Sequence, residues 1–140
     1  FVTVLYRMEG EPAVTNTGIF TDVPDNVYCT EACYWALETG ITTGTSATTF
    51  EPTRDLTRTE IVAFMYRYAK YKGYDTSAAA DLSVYRDASQ IPDFAVDAWS
   101  WSVTHGIVNG VSADTLAPRS LTIRAQAAAI FQRFDSKLAN

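Results

Sequence analysis

Residues 34–44 read YWALETGITTG and residues 100–110 read SWSVTHGIVNG, so the chain carries one pattern twice at a spacing of 66 positions. The same offset continues in three matched pairs: Pro52 and Pro118, Arg58 and Arg124, Arg67 and Arg133. A fixed period with matched Gly, Pro, Trp and Arg positions is typical of repeat proteins. Because such units bury their apolar faces on each other, neither copy is interpreted as a domain by itself.

The opening residues fit the same pattern. Residues 1–7 can be laid over residues 61–67, so we expect the chain to begin inside a third, upstream copy, of which only the last helix is present. The first residue, Phe1 rather than Met, agrees with a fragment or a processed product. The predicted organisation is the last helix of a truncated repeat at 1–18, a complete repeat at 19–72, a linker at 73–84 and a second complete repeat at 85–140.

Each copy is predicted to form a helix, a loop and a second helix. In the first copy we expect a helix over 27–39 that Gly40 ends in a left-handed conformation, and a second helix over 58–72. Thr57 and Glu60 match the T-x-x-E capping box that opens such a helix.

The second copy repeats this plan, with a helix near 93–104 and a closing helix that runs to about residue 137. Asp22 and Asp87 precede the first helix of each copy, where we expect them to form short turns that lead the chain into the helix. The predicted fold class is therefore mainly all-α, a bundle of helix-loop-helix repeats.

Composition limits the function. The chain has 140 residues, 47% apolar content and a net charge of −5, which allows one ordinary core and argues against a general nucleic-acid binder. It has neither an apolar stretch long enough to cross a membrane nor a signal-peptide pattern, so no membrane insertion is predicted. Cys29 and Cys33 are interpreted as two small buried residues, with a strained disulfide or a metal site that includes His105 as alternatives.

Arg58 and Arg124 stand in the first turn of the second helix of each copy, where a cation opposes the helix dipole. Their position makes better sense if an anion binds nearby, since helix N–H groups and a guanidinium then act together. The alternative is an intramolecular ion pair, for which the candidates are Asp55, Glu60, Asp22 and Asp87.

Two further matched pairs are candidate binding residues. Gly44 and Gly110 either supply positive φ for a tight turn or let a ligand approach the backbone, and both roles are compatible. Trp35 and Trp101 lie at helical apolar positions, which favours core packing. The alternative is that a partly exposed tryptophan edge forms a platform for a sugar ring.

The sequence shows no catalytic constellation. His105 stands at the end of a helix, where an imidazole can cap carbonyl groups. The chain lacks the nucleophile-elbow, zinc-protease, phosphate-loop and dinucleotide motifs, so we predict no enzyme, no catalytic residue, no cofactor and no metal. Two pairs of acids, Asp22 with Asp25 and Asp93 with Asp97, give no indication that they flank a cleft.

Taken in order, these motifs resemble the S-layer homology (SLH) repeat, which reads F-x-D-V, then W-A in a helix, G-I-x-x-G, F-x-P and T-R-A-E. The first copy supplies residues 20–23, 35–36, 40–44, 50–52 and 57–60, and the second keeps Asp87, Trp101, 106–110, Pro118 and Arg124. The resemblance extends from the truncated first copy to Phe134, and all the motifs occur in order, twice.

This resemblance implies a function. SLH modules are extracellular parts of bacterial surface proteins, usually three repeats in a pseudo-threefold helical assembly, that bind secondary cell-wall polysaccharides non-covalently in grooves between repeats. The polymers include pyruvylated ones. The resemblance implies that Arg58 and Arg124 are the main contacts to an acidic sugar, with contributions from Gly44, Gly110, Trp35 and Trp101.

The second copy departs from the family pattern. Its box, residues 123–126, reads IRAQ and lacks both Thr and Glu, which weakens the helix cap by about 1 kcal/mol unless Thr122 replaces it. Leu116 stands in place of the aromatic residue of F-x-P. We therefore expect the second copy to be more structural than ligand-binding.

Three functions follow from these observations. The preferred one is a non-catalytic module that anchors a protein to the cell wall through secondary polysaccharide or a peptidoglycan-linked glycan. The second is a protein-interaction or self-assembly module of a cell-surface protein, in which the repeats dock on another protein or on a second copy to give a homo-oligomer. The third, a wall-degrading hydrolase, has only scattered acidic residues to support it.

Overall fold

A computed structural model describes residues 2–27, 29–42, 44–51, 55–77, 80–108, 111–122 and 124–136. These residues contain five α-helices and no β-strand, which confirms the predicted all-α class. The helices are α1 (Val2–Met8), α2 (Thr30–Glu38), α3 (Arg58–Lys72), α4 (Val96–His105) and α5 (Arg124–Phe134), with short 3-10 helices at Leu82–Val84, Ala88–Gln90 and Asp93–Ala95. The chain divides into two compact units, Phe1–Arg54 and Asp55–Asn140, called here the first and second unit.

The first unit is built on the packing of α1 against α2. The rings of Tyr6 and Trp35 lie 5.6 Å apart at 53°. Phe20 packs against Tyr34 and Phe50, each with a centroid distance of 5.2 Å. Burial of these aromatic side chains supplies much of the apolar contact that a small unit needs.

Both cysteines belong to this core. Cys29 and Cys33 are buried free thiols, which confirms their interpretation as small buried residues. Burial raises the pKa of Cys33 to about 12, with a further contribution from Cys29. The thiol of Cys33 is therefore neutral near pH 7, and its burial keeps it away from solvent.

The second unit repeats the same helix pair with α3 and α4. The rings of Tyr66 and Trp101 lie 5.4 Å apart at 53°, nearly the geometry of the pair formed by Tyr6 and Trp35. In each unit, then, a helix packs against the first helix of a complete copy: α1 against α2, and α3, the last helix of the first complete copy, against α4. The match supports laying α1 over α3, as the sequence suggests.

The bounds of α3 are those predicted from sequence, because both of its caps are local. The Thr57 side chain accepts from Glu60 N, and Thr57 N donates to Glu60 Oε1, so both halves of the capping box are present. Gly73 ends the helix with φ of +73°.

The other helices differ from prediction at their ends. α2 begins at Thr30 rather than residue 27, because the Thr30 hydroxyl accepts from Val27 N and donates to Pro24 O, which holds the preceding residues in a turn. Gly40 follows its last turn with φ of +79°, as predicted. α4 begins at Val96 after a 3-10 turn, and the predicted end of the closing helix near 137 lies outside the described residues.

Candidate ligand-binding site

In the first unit, the Asp22 carboxylate binds the backbone of a loop far along the chain. Phe50 N donates to Asp22 Oδ1 at 2.9 Å, and Glu51 N donates to Oδ2 at 2.7 Å. The bond from Phe50 is the main cause of the lowered pKa of Asp22. The prediction of a short turn leading into the first helix is therefore wrong for Asp22, because its partners lie 28 and 29 residues downstream.

In the second unit, Asp87 binds its own loop in the same way, so the turn prediction is wrong here too. Leu116 N donates to Asp87 Oδ1 at 3.0 Å, and Ala117 N donates to Oδ2 at 2.8 Å. Burial acts to raise the pKa of Asp87, but the two amide bonds outweigh it and the pKa is lowered. Each of these carboxylate clamps holds a non-glycine residue at positive φ, +53° at Glu51 and +52° at Ala117.

The guanidinium of Arg58 continues this network. Its Nε donates to Leu116 O at 2.8 Å, so Leu116 is held at its N–H by Asp87 and at its carbonyl by Arg58. The guanidinium also lies 5.9 Å from the ring centroid of Trp99, and the residue is only 7% exposed. Burial lowers the pKa of Arg58, with a further contribution from the charge of Arg133, while the charge of Asp87 acts in the opposite direction and is outweighed. The cation is thus held in one orientation in surroundings that disfavour its charge.

The first turn of α3 is already occupied by carbonyl groups of the same loop. Arg58 N donates to Ser120 O at 2.8 Å, and Thr59 N donates to Pro118 O at 3.2 Å. The Thr59 hydroxyl also donates to Pro118 O and accepts from Trp99 Nε1 at 3.1 Å. The expectation that these helix amides bind an anion together with Arg58 is therefore wrong. Any anion bound there would depend on the guanidinium itself.

The tryptophans of the repeat lie in the core. Trp35 is 2% exposed and Trp101 is 0% exposed, which confirms the interpretation that favoured core packing. Trp101 Nε1 donates to Asp75 O at 3.0 Å. Contact between either ring and a ligand stays a prediction that rests on the resemblance alone.

Position 44 requires glycine, both for its backbone conformation and for lack of space for a side chain. Its φ is +88°, and a Cβ at this position would lie 2.6 Å from Thr49 O. The predicted positive φ is thus confirmed, while contact with a ligand stays a prediction. The matching Gly110 lies outside the described residues, and Arg124 is described as the first residue of α5 without its side chain. The Thr122 hydroxyl is buried and has no hydrogen-bond partner among the described residues, so it does not cap a described amide of α5.

A cavity of about 380 Å³ lies beside the first turn of α3 and is called here the α3 groove. Arg58 itself does not line this cavity. Its lining combines three residues of the T-R-T-E segment with residues before α4 and in the loop after it: Thr57, Thr59, Glu60, Ser89, Gln90, Ile91, Pro92, Phe94, Pro118 and Arg119. Gln90, Phe94 and Arg119 were not predicted from the sequence. Gln90 and Phe94 lie between Asp87 and Trp101, where the spacing of the copies changes from 65 to 66 residues, and the position that matches Arg119 is Thr53.

The first unit has a cavity of about 510 Å³ with a different chemistry. Its lining includes three carboxylate side chains, Glu11, Asp25 and Glu31. Like charges disfavour an acidic polymer here. The α3 groove is therefore the better candidate for an acidic glycan.

The His105 ring contacts the segment that follows α3 and not the carbonyl groups of its own helix, so the capping role suggested by the sequence is wrong. Its Nε2 lies 3.1 Å from Ser77 O, 3.4 Å from Ser77 Oγ and 4.0 Å from Asp75 Oδ2. A serine–histidine–aspartate relay needs its two partners on opposite ring nitrogens. Because Ser77 and Asp75 both meet Nε2, this cluster is not arranged as such a relay.

Two general findings concern the whole of the described chain. Among its described residues, no three His, Cys, Asp or Glu side chains converge in a way that could hold a metal ion. Within those same ranges, no helix has both the length and the apolar character needed to span a bilayer.

Comparison with known proteins identifies the repeat. Residues 19–61 and 84–128, well over half of the chain, match the S-layer homology domain. The chain is also 29% identical over 117 residues to a surface-layer 125 kDa protein of Lysinibacillus sphaericus. That alignment covers 81% of this chain but only 10% of the relative, so the chain spans about a tenth of the relative's length.

The helical repeats and their matched sequence boxes define a surface-anchoring repeat module of a cell-surface protein. The chain belongs to the S-layer homology domain family, as its sequence motifs indicate.

Proposed function

We propose that this chain anchors a protein to the bacterial cell wall by binding an acidic secondary polysaccharide, including pyruvylated forms, without catalysis. The observation that carries the proposal is the position of Arg58 in the T-R-T-E box of a chain that belongs to the SLH family. The relative's description as a surface-layer protein agrees with this location.

The surroundings of Arg58 support its role as the main contact. Its Nε bond to Leu116 O orients the guanidinium plane, and burial lowers its pKa. A cation that is disfavoured by its surroundings is stabilised when a carboxylate approaches, and a planar guanidinium matches the two oxygens of a carboxylate. By the repeat match, Arg124 is the corresponding contact of the second copy, with Gly44, Gly110, Trp35 and Trp101 in supporting roles.

The test is co-sedimentation of the chain with purified cell walls, before and after acid treatment that strips secondary polymers. Binding that is lost on stripping supports the proposal, and binding that persists points to the peptidoglycan-linked glycan instead. A chain that remains in the supernatant with both preparations would contradict wall anchoring.

Variants then test the role of Arg58. Arg58→Ala is expected to weaken binding at least tenfold, and Arg58→Lys to restore it only in part, because lysine keeps the charge but loses the planar fork. Arg86→Ala removes a solvent-exposed arginine and is the matched control. Since Arg58→Ala also removes the bond to Leu116 O, circular dichroism must show that each variant is folded.

The second candidate function is assembly of the module with a protein or with a copy of itself. It is favoured by exposed apolar side chains in the second unit, Val84, Phe94, Val111 and Leu121. Scattered exposed apolar residues are common on monomers, however. A mass by light scattering that rises with concentration would support assembly, and a constant monomer mass would contradict self-association.

A further inference from the structure

The α3 groove presents an aromatic face to solvent. Phe94 is 67% exposed and lines the groove with Ile91, Pro92 and Pro118, which together form an apolar wall. A phenylalanine this exposed buries little apolar area in the core. Large aromatic side chains at the surface of a concave site are typical of ligand recognition.

The polar residues of the groove complement this wall. Gln90 and Arg119 are both exposed and line the same cavity. An amide offers both a donor and an acceptor to hydroxyl groups, and a guanidinium offers several donors and a positive charge. A pyranose ring has the matching chemistry, because its C–H face is apolar and its rim carries hydroxyl or carboxylate groups.

Both walls of the groove are fixed before any ligand arrives. Phe94 stands in the 3-10 turn Asp93–Ala95, where Ala95 N donates to Pro92 O at 2.9 Å and Ala95 is buried. The opposite wall is the capped first turn of α3. Trp99 of α4, the helix that follows the 3-10 turn, donates its Nε1 proton to the Thr59 hydroxyl and so ties α4 to that turn of α3. A preformed site avoids the entropic cost of ordering its walls on binding.

We propose that the α3 groove is a carbohydrate subsite in which a pyranose ring stacks on Phe94 while Gln90 and Arg119 bind its hydroxyl or carboxylate groups. This inference rests on the proposed function, since the ring belongs to the same wall polymer. Its volume of about 380 Å³ lies within the range of ligand pockets. The subsite adds Phe94 and Arg119 to the contacts that the repeat motif itself supplies.

The experiment is isothermal titration of the full chain with polysaccharide released by acid from purified cell walls. Phe94→Ala is expected to weaken binding by roughly 2- to 12-fold, the range of aromatic contact energies, and Arg119→Ala to weaken it to a similar extent. Phe94→Trp should retain wild-type binding, because it keeps an aromatic face. Phe94→Leu should not, because it keeps only apolar area.

Controls of equal exposure separate the subsite from general surface effects. Val84 is also 67% exposed and does not line the groove, so Val84→Ala should bind as the wild type does, and so should Arg86→Ala. If the wild type binds and Phe94→Ala binds equally well, the subsite is refuted while wall anchoring stands. If Phe94→Leu binds like the wild type, apolar area alone is sufficient at this position, and the stacking of a sugar ring on Phe94 is refuted. If the wild type binds no released polysaccharide, the proposed function itself fails.

Discussion

At the scale of single residues, the aspartates of the F-x-D-V segment act on the loops and not on the helices that follow them. Each carboxylate accepts two backbone N–H groups, as Asp22 does from Phe50 and Glu51. In the second copy, the clamped Leu116 also receives the side chain of Arg58. The same carboxylate bonds therefore shape the loop and, through it, the surroundings of the candidate binding arginine.

Replacing Asp22 with Asn is expected to lower the free energy of unfolding by about 1 to 2 kcal/mol at pH 7, because a charge-assisted bond is lost at a partly solvated site. The folded pKa of Asp22 is lowered, so its contribution is present above the unfolded carboxyl pKa and is lost as the pH falls through the folded value. Urea unfolding from pH 7 down to pH 2 should show the difference from wild type shrink toward zero. An undiminished difference at low pH would contradict the clamp, and the exposed Asp55→Asn variant is the control.

Gly44 and Gly40 allow the effect of close packing to be separated from the effect of positive φ. Both have positive φ, but a Cβ at Gly44 would meet Thr49 O at 2.6 Å, whereas one at Gly40 has nothing within 4 Å. We expect Gly40→Ala to cost about 1 kcal/mol of unfolding free energy and Gly44→Ala at least about 2 kcal/mol. Thermal unfolding of both variants measures the difference. Equal losses would show that the backbone conformation alone matters at Gly44.

At the scale of elements, prediction from sequence succeeded where the determinants are local. α3 has the predicted bounds because Thr57, Glu60 and Gly73 cap it within a few residues. The start of α2 was missed because it depends on the Thr30 hydroxyl, which hydrogen-bonds Pro24 O six residues upstream. The candidate site was predicted only in part. The repeat identified Arg58, but it did not show that the first amides of α3 are already hydrogen-bonded. The carbonyl groups that accept from these amides lie about 60 residues away in the sequence and leave no periodic signal.

The capping box gives a direct test of this local control. Thr57→Ala removes the hydroxyl that accepts from Glu60 N, so we expect the free energy of unfolding to fall by about 1 kcal/mol. Thr57→Ser keeps the hydroxyl and should lose much less. Urea unfolding followed by far-ultraviolet circular dichroism measures both. A loss of equal size in the serine variant would point to the threonine methyl group and not to the cap.

At the scale of the whole molecule, the compact units do not coincide with the sequence repeats. One F-x-D-V segment lies between α1 and α2, and the second copy begins between α3 and α4, whereas each of these helix pairs packs within one unit. This is how repeat proteins form a core, since one copy alone leaves an apolar face uncovered. In the first unit, the seven-residue α1 packs against α2, the helix that contains Cys33 and that Cys29 precedes.

The rate at which a reagent labels the two thiols therefore measures how often α1 separates from the rest of the first unit. Leu5 is fully buried in α1, so Leu5→Ala should cost about 2 to 5 kcal/mol and increase the open fraction of the first unit accordingly. Because burial holds the pKa of Cys33 at about 12, a thiol reagent at pH 8 labels the folded chain slowly, through opening. We expect labelling of Leu5→Ala to be at least tenfold faster than that of wild type. The neighbouring exposed Val4→Ala should label at the wild-type rate, and equal rates for both variants would mean that α1 does not protect the thiols.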